Sequence, residues 1–473
     1  MKLGDLLKIS GELAELEIKG ITCDSRKVQE GFAFVCINGA LSDGHTYAKS
    51  AIEKGAVVLI AEKDTGFENQ VLVPDTHAAF AIMSANWFGN PADSLRLIGV
   101  TGTNGKTSVT YMLKQILEAA GYKVGLIGTI QNMIGDEVIE TKNTTPDAYE
   151  LNRLFDDMKD KGCDFAVMEV SSHALDQCRV YDLTFEAAIF TNLTQDHLDY
   201  HLTMDNYLEA KKKLFKMCKT AIINADDEYS ERIAEGLECK VVKYSTGNDA
   251  DCCAKAIKYR PAKVEYEFMH QDGINHIKVN TGGKFTVYNS LCALAAAKEI
   301  GLSVVDAANY LAELRGVKGR AEVVETNRDF TIIIDYAHTP DGLKNILSTF
   351  KECEKNRLTV LFGCGGDRDK TKRPIMGSVA ARYADFVIVT SDNPRSEEPS
   401  LIIKDILVGM DGSTTPYKVI ENRVDAINYA IKTAQKDDII VLAGKGHETY
   451  QILKDGTIHL DEREVIKEAL AEI

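Results

Sequence analysis

No apolar run in these 473 residues approaches the roughly 18 needed to span a bilayer. The opening MKLGDLLKIS is interrupted by Asp5 and Lys8, so it does not read as a leader, and the expected location is the cytoplasm. Basic charge is also scarce. The 55 lysines and arginines stand against 71 acidic residues, a net charge of −16, which argues against general affinity for nucleic acid or anionic membrane. Any anionic substrate must therefore be met by local basic pockets. No C-x-x-C pair occurs; the 11 cysteines are scattered, with only Cys252 and Cys253 adjacent, so a disulfide framework is not expected and the thiols read as small, reduced core residues. Internal repeats and low-complexity stretches are missing too.

What is present is a globular composition, 45% hydrophobic, at a length that suits about three domains. Two joints divide the chain. One is Gly89-Asn90-Pro91, where a helical run ending in Trp87-Phe88 breaks; the other runs from Gly316 to Gly319, where a helix ends before a new strand. The expected segments are 1–90, 91–320 and 321–473. The first is small, with strands near 31–37 and 57–61 and helices near 46–54 and 76–88. The second alternates the apolar strands LRLIGV, KVGLIGT, DFAVMEV, AAIFTNL and TAIINAD with helical stretches, the pattern of a parallel sheet covered on both faces. The third repeats it with FTIIIDYA, RLTVLFGC, DFVIVTSD and DIIVLAGK. The fold class expected is α/β, in three domains, and polar clusters follow the strands, where open α/β sheets bind ligands.

The stretch with the clearest chemistry is TGTNGKTS at 101–108, set between LRLIGV and a helix expected over 108–120 and closed by Gly121. Gly102 and Gly105 let the backbone, with Thr103 and Asn104, approach phosphate oxygens. Lys106 adds positive charge, Thr107 offers a hydroxyl to magnesium, and Ser108 opens the helix. Val100 stands where the common phosphate-loop pattern has glycine. Glu169 ends DFAVMEV and His197 follows AAIFTNL, so both are expected at the same sheet edge as Thr107. A hydroxyl, a carboxylate and phosphates suit magnesium, and a histidine is a less usual partner. Read alone, Glu169 is equally a solvated strand end, His197 a structural histidine, and Lys211, within YLEAKKKLF, one lysine of a solvated run.

TGTNGKTS, MEVSSHALDQCRV (168–180), TNLTQDHLDYH (191–201), YLEAKKKLF (207–215), DYAHTPD (335–341), GCGGDRDKTKRP (363–374), DNPRSEEP (392–399) and AGKGHETYQ (443–451) follow one another along one chain. Together they closely resemble the Mur ligases, over all three segments. The resemblance implies a small N-terminal UDP-binding domain, a central phosphate-loop ATPase domain and a C-terminal Rossmann-like domain. It implies an ATP-dependent amide-bond ligase of peptidoglycan precursor synthesis that works through an acyl-phosphate, with ATP as co-substrate and magnesium, in two ions, as cofactor. A monomer is the expected state.

The resemblance also implies residue roles. Lys106, Glu169, His197 and Lys211 would be catalytic, with Thr107, Glu169, His197 and Lys211 at the metal and Lys211 carbamylated. Asn289, Arg320, Asp335 and His338 would extend the ATP site, although Thr286 stands where the family has asparagine. Asp335 read alone caps a strand end. The UDP-N-acetylmuramoyl-L-Ala-D-Glu acceptor would meet Ser25, Ser42, Asn143, Thr144, Thr145, Ser171, Gln177 and Arg179. Near the uridine-diphosphate residues, Cys23 and Ala40-Leu41 depart from relatives. For the amino acid the resemblance implies Arg368, Asp392, Asn393, Pro394, Arg395, Gly444 and Glu448. Asp392 to Arg395 alone would read as a turn. Meso-diaminopimelate differs from lysine by a distal carboxylate, and a guanidinium fork binds a carboxylate bidentately, so Arg395 favours diaminopimelate. The alternatives are a ligase adding lysine or another diamino acid, folylpolyglutamate synthesis, and an inactive ATP-gated binding or scaffold protein.

Overall fold

A computed structural model describes every residue except 40, 41, 248, 315, 354 and 473. It divides into two compact units, Met1–Val242 and Lys243–Ile473.

Unit 1 opens with a four-stranded parallel sheet, β1 (Gly20–Thr22), β2 (Phe32–Val35), β3 (Ala56–Ala61) and β4 (Gln70–Leu72), in that order. The two outer strands are only three residues long, too short to show a period in the sequence, and were not foreseen. Helix Thr76–Trp87 is capped by Asp75, whose carboxylate accepts from the amides of His77 and Ala78. Beyond it, Gly89 and Asn90 take positive φ and Pro91 follows, so the helix ends there.

The remaining strands of unit 1 are β5 (Arg96–Thr101), β6 (Val124–Ile127), β7 (Asn132–Ile134), β8 (Glu137–Ile139), β9 (Phe165–Glu169), β10 (Phe185–Phe190) and β11 (Cys218–Asn224), ordered β11-β10-β5-β9-β6-β7-β8. Strand β9, FAVME, is buried throughout, as expected for a parallel strand covered on both faces. The β7–β8 hairpin pairs antiparallel and was absent from the all-parallel reading. In register, Val100 lies beside Glu169 and Thr101 beside Phe190. The loops after β5, β9 and β10 therefore leave one sheet edge.

Strand β12 (Lys240–Ser245) crosses the boundary between the units. In unit 2 its end pairs with β13 (Cys252–Arg260), which runs antiparallel to β14 (Lys263–His270), itself antiparallel to β15 (Gly273–Val279). These half-buried hairpins were also missed, because charged residues on their exposed faces hide the apolar alternation. A six-stranded sheet follows, β16 (Glu322–Val324), β17 (Thr331–Asp335), β18 (Leu358–Phe362), β19 (Phe386–Val389), β20 (Tyr417–Val419) and β21 (Ile439–Ala443), ordered β16-β17-β21-β18-β19-β20. All its pairings are parallel except β16–β17. Asp335 is in register with Ala443 and Phe362 with Val389, so four loops leave this sheet on one edge. Among the described residues no helix is long and apolar enough to cross a membrane, and all 11 cysteines are free, seven buried and four half-buried.

A buried ion pair ties two of those four loops together. The Arg423 guanidinium donates to Glu462 Oε1 at 2.9 Å and 2.8 Å, to the Ser391 carbonyl at 3.4 Å and to the Ala443 carbonyl at 2.9 Å, with both side chains fully buried. Glu462 Oε2 has no hydrogen-bond partner among the described residues, and burial pushes this carboxyl up from its ordinary range. Removing one member of such a pair strands a buried charge. Arg423→Met is therefore expected to destabilise the protein by about 3–5 kcal/mol, and Arg423→Met/Glu462→Leu by much less. Urea midpoints of the two variants check this.

Candidate active site

The phosphate loop owes its shape to its glycines and to the strand beside it. Gly102 has φ +148°, and a Cβ there would lie 1.9 Å from Thr191 Oγ1; Gly105 has φ +91° and sets up helix Lys106–Ala119. That helix starts two residues earlier than expected, so Lys106 and Thr107 occupy its first turn, where the helix dipole favours anions. The segment after β10 holds the loop from outside. Asn192 Oδ1 accepts from the Asn104 amide at 2.9 Å, and its Nδ2 donates to the Asn104 carbonyl at 3.1 Å. Thr103 Oγ1 donates to the Thr194 carbonyl at 3.1 Å and accepts from the Thr194 amide at 3.0 Å.

Two lysines share one acceptor at this loop. Lys106 Nζ donates to the carbonyls of Gly102 and Thr103, each at 2.9 Å, and Lys211 Nζ donates to the same Gly102 carbonyl at 2.9 Å. Lys211 is buried on helix Met204–Phe215, not on a solvated face. Burial first, then the Lys106 ammonium, drives its pKa well below the ordinary lysine value. His197 lies nearby in the left-handed region at φ +54°, and burial, opposed by Asp196, lowers its pKa. Its ring meets His173 edge-on at 4.9 Å, and His201 lies 5.5 Å from His173 and donates to or accepts from Ser172 Oγ at 2.9 Å.

Glu169 is buried at the end of β9, with Oε1 accepting from the Thr129 amide at 2.9 Å and Oε2 from Thr129 Oγ1 at 3.0 Å. Thr129 Oγ1 lies 3.0 Å from Thr144 Oγ1, and Thr145 Oγ1 donates to the Glu169 carbonyl at 2.9 Å. Ser171 donates its amide to Thr145 Oγ1 at 3.0 Å and caps helix Ser172–Asp176. Arg179 closes the group, donating to the Thr145 carbonyl at 2.7 Å and twice to Gln177 Oε1 at 3.1 Å and 2.7 Å. Thus Thr144, Thr145, Ser171, Gln177 and Arg179 form one hydrogen-bonded patch against Glu169. Asn143 is exposed beside it. Ser25 and Ser42 follow β1 and β2 respectively, with Ser42 exposed; Ala40-Leu41, the noted departure, lie outside the described residues.

In unit 2 the loops after β18, β19 and β21 interlock. Gly366 donates to the Asn393 carbonyl at 2.9 Å, and a Cβ on Gly366 would fall 1.9 Å from the Pro394 carbonyl. Asn393 Nδ2 donates to Glu448 Oε2 at 2.9 Å. A Cβ on Gly444 would sit 2.8 Å from Asp392 Oδ2. Arg395, at φ +54°, donates from Nη1 to the carbonyls of Gly366 at 2.8 Å and Asn393 at 3.4 Å. Its Nε and Nη2 have no partner among the described residues, which leaves one edge of the fork available. Arg368 is exposed on the rim, with Nη1 on the Asp367 carbonyl at 3.0 Å.

Gly319 and Arg320 lie close to these loops. A Cβ on Gly319 would lie 2.2 Å from the backbone of Gly446 and His447, and Arg320 lies over the Tyr336 ring at 4.9 Å. Asp335 accepts from the amides of Ala321 at 2.7 Å and Ala337 at 2.8 Å, so it does cap the strand end. His338 is exposed with Nδ1 2.8 Å from the Tyr336 carbonyl, and Asn289 is buried on helix Lys284–Glu299.

The chain matches the Mur ligase middle domain over residues 100–297, the Mur ligase glutamate ligase domain over 319–446 and the Mur ligase family catalytic domain over 17–87. It is 49% identical over 470 residues to "UDP-N-acetylmuramoyl-L-alanyl-D-glutamate--2,6-diaminopimelate ligase 1" of Clostridium acetobutylicum, covering 98% of this chain and 97% of that one. It is 50% identical over 480 residues to the ligase of that name from Caldanaerobacter subterraneus subsp. tengcongensis, covering 100% and 99%. The chain belongs to the Mur ligase family. A solved ligase of the same name superposes with a TM-score of 0.76 at 32% identity, covering 100% of this chain and 99% of that one, and the architecture is the three-domain α/β fold of the Mur ligases.

Within this Mur ligase, several supporting residues escaped the sequence reading. His173 and His201 sit inside quoted motifs but carried no signal of mutual contact. Thr129, which holds both Glu169 oxygens, lies 40 residues upstream of it. Buried Arg373 binds Glu397 twice, at 2.8 Å and 3.1 Å, and Asp405 at 2.8 Å, while Glu397 accepts from the Asp367 amide at 2.7 Å. Those bonds join the GGDRD loop to the residues after DNPR. The Arg373 hydrogen bond, foremost, holds the Glu397 carboxyl at about 2, below its ordinary 4.5. A folded-state pKa below the unfolded one means the stabilisation is complete above pH 4.5 and is lost as pH falls towards about 2. Glu397→Gln is expected to lower the thermal midpoint at pH 7 and to flatten its decline across that acid window.

Proposed function

We propose that this Mur ligase joins the amino group of meso-2,6-diaminopimelate to the D-glutamate carboxylate of UDP-N-acetylmuramoyl-L-alanyl-D-glutamate, using ATP, in peptidoglycan precursor synthesis in the bacterial cytoplasm. The observation that carries the amino-acid assignment is the Arg395 fork, anchored through Nη1 on Gly366 and Asn393 with its other edge unpaired among the described residues. The names of relatives sharing 49% and 50% of its residues support the same reading. Residues 1–90 would bind the UDP end, 91–320 ATP, and 321–473 the amino acid.

In this reading Gly102 to Ser108 cradle the triphosphate, and Lys106 exchanges the carbonyls of Gly102 and Thr103 for the outer phosphates. Asn289, Arg320, Asp335 and His338 serve the adenosine end. Among the described residues no three His, Cys, Asp or Glu side chains converge as a metal cage. What the loop edge offers is buried Thr107 and buried Glu169, a partial oxygen set of the kind magnesium completes with water and phosphate. Thr107, Glu169, His197 and carbamylated Lys211 would hold it, and bound magnesium would neutralise charge on the transferring phosphoryl group. Lys211 is suited to carbamylation because burial favours its neutral amine. That amine can add to carbon dioxide with loss of a proton, which turns a buried neutral amine into an anion.

The acceptor would lie on Ser25, Ser42, Asn143, Thr144, Thr145, Ser171, Gln177 and Arg179. Its D-glutamate carboxylate attacks the γ-phosphorus of ATP and ADP leaves; the amine then attacks the acyl-phosphate carbon, and phosphate leaves. Positioning and charge neutralisation supply most of the acceleration. Arg395 takes the distal carboxylate of diaminopimelate, Glu448 the distal ammonium and Arg368 a carboxylate at the rim, with Asp392, Asn393, Pro394 and Gly444 shaping the pocket. Lysine would leave the Arg395 fork unpaired, a defect that costs up to about ten-thousand-fold in comparable sites.

Arg395→Ala is expected to raise the KM for diaminopimelate about 10- to 100-fold, the equivalent of a charged hydrogen bond, and to narrow the preference over lysine. ADP release with each amino acid measures both, and an unchanged preference refutes the assignment. Lys211→Ala is expected to lose most activity and to regain part of it with added formate or acetate. Full activity without them would refute the carbamate.

A further inference from the structure

The inner amino-acid pocket contains a cation that the proposed chemistry does not use. Lys445 lies two residues beyond β21, and its side chain is fully buried, at 0% exposure. Its Nζ donates to Asn393 Oδ1 at 2.6 Å and to Glu448 Oε2 at 3.0 Å. It lies 3.5 Å from Asp392 Oδ1 and 5.6 Å from the centre of the Tyr450 ring. Three residues assigned to the amino acid thus converge on one ammonium.

The ammonium also orients its neighbours. Asn393 Oδ1 accepts from Lys445 and from the Ile452 amide at 2.9 Å, while Nδ2 donates to Glu448 at 2.9 Å. The amide therefore has a single sense, with its donor edge on the carboxylate. Without Lys445, two carboxylates, Asp392 and Glu448, would share the pocket without the ammonium that both now face, and buried carboxylates are costly without partners.

We propose that Lys445 is a positioning residue that sets amino-acid specificity as the pocket's internal counterion; this rests on the reading of the pocket as the diaminopimelate site. With Lys445 in place, Asp392 and Glu448 are balanced by Lys445 and Arg395. A balanced pocket suits the distal end of diaminopimelate, whose ammonium and carboxylate cancel. The lysine side chain brings an ammonium alone and leaves the pocket with an excess cation beside Arg395. Removing Lys445 makes the pocket net negative, which penalises the diaminopimelate carboxylate and relieves the penalty on lysine.

The test measures kcat and KM for diaminopimelate, lysine and ATP in the full-length enzyme and in Lys445→Met and Lys445→Arg. Lys445→Met is expected to raise the KM for diaminopimelate at least about tenfold, to leave the KM for ATP within about twofold, and to narrow the preference over lysine at least about tenfold. Lys445→Arg keeps the charge but cannot put a compact ammonium on three acceptors, so it should keep the preference while the diaminopimelate KM rises several-fold. A Lys445→Met enzyme with wild-type KM and preference overturns the proposal. If Lys445→Met does not fold, as judged by circular dichroism, Lys445→Arg decides: a wild-type KM for diaminopimelate overturns the proposal, and a raised one with unchanged ATP KM upholds it. A wild-type enzyme that ligates neither amino acid, or prefers lysine, overturns the reading of the pocket itself and the proposal with it.

Discussion

Backbone carbonyls that leave a parallel sheet at its carboxyl edge have no ladder partner, and in this protein cations supply many of the missing donors. Lys106 and Lys211 bind the Gly102 carbonyl after β5. Arg395 binds Gly366, and Arg423 binds Ser391 and Ala443. A chain of net charge −16 thus places scarce positive charge where anionic substrates would arrive. The same groups shape the loops and set the local potential, so shape and charge cannot be altered separately.

That coupling bears on what each cation can do. Arg423, fully buried against Glu462, is committed to structure. Lys106 is bonded to its own loop's carbonyls in a manner a phosphate could replace. Lys211 is an intermediate case, a buried amine with no carboxylate among its hydrogen-bond partners in the described residues, and its lowered pKa follows from that environment. Arg395 divides its guanidinium, one nitrogen holding the loop and one edge left unpaired among the described residues. Lys445 is surrounded by the side chains that would select the amino acid.

Much of the fold was legible in the sequence. The strands LRLIGV, DFAVMEV, RLTVLFGC and DIIVLAGK are strongly apolar because both faces of their sheets are covered, and the ends of each lie within two residues of their expected places. The antiparallel hairpins over 252–279 were not legible, since their outward residues are charged and dilute the pattern. The helix after the phosphate loop was placed two residues late because Gly105 reads as loop, while its positive φ in fact opens the helix.

The sequence by itself determined the sheet-forming segments, the phosphate loop and the order of the motifs, since glycine, lysine and apolar runs carry those signals locally. It also put Glu169 at a strand end and His197, Arg395 and Glu448 after strands, at the edge where ligands gather. Only the tertiary structure decided that Lys211 is buried rather than solvated, that Thr129 holds Glu169, that Arg423 spans two loops, and that Lys445 faces Asp392, Asn393 and Glu448. Each of those facts depends on contacts between residues distant along the chain, which register and packing create and no local pattern of residues encodes.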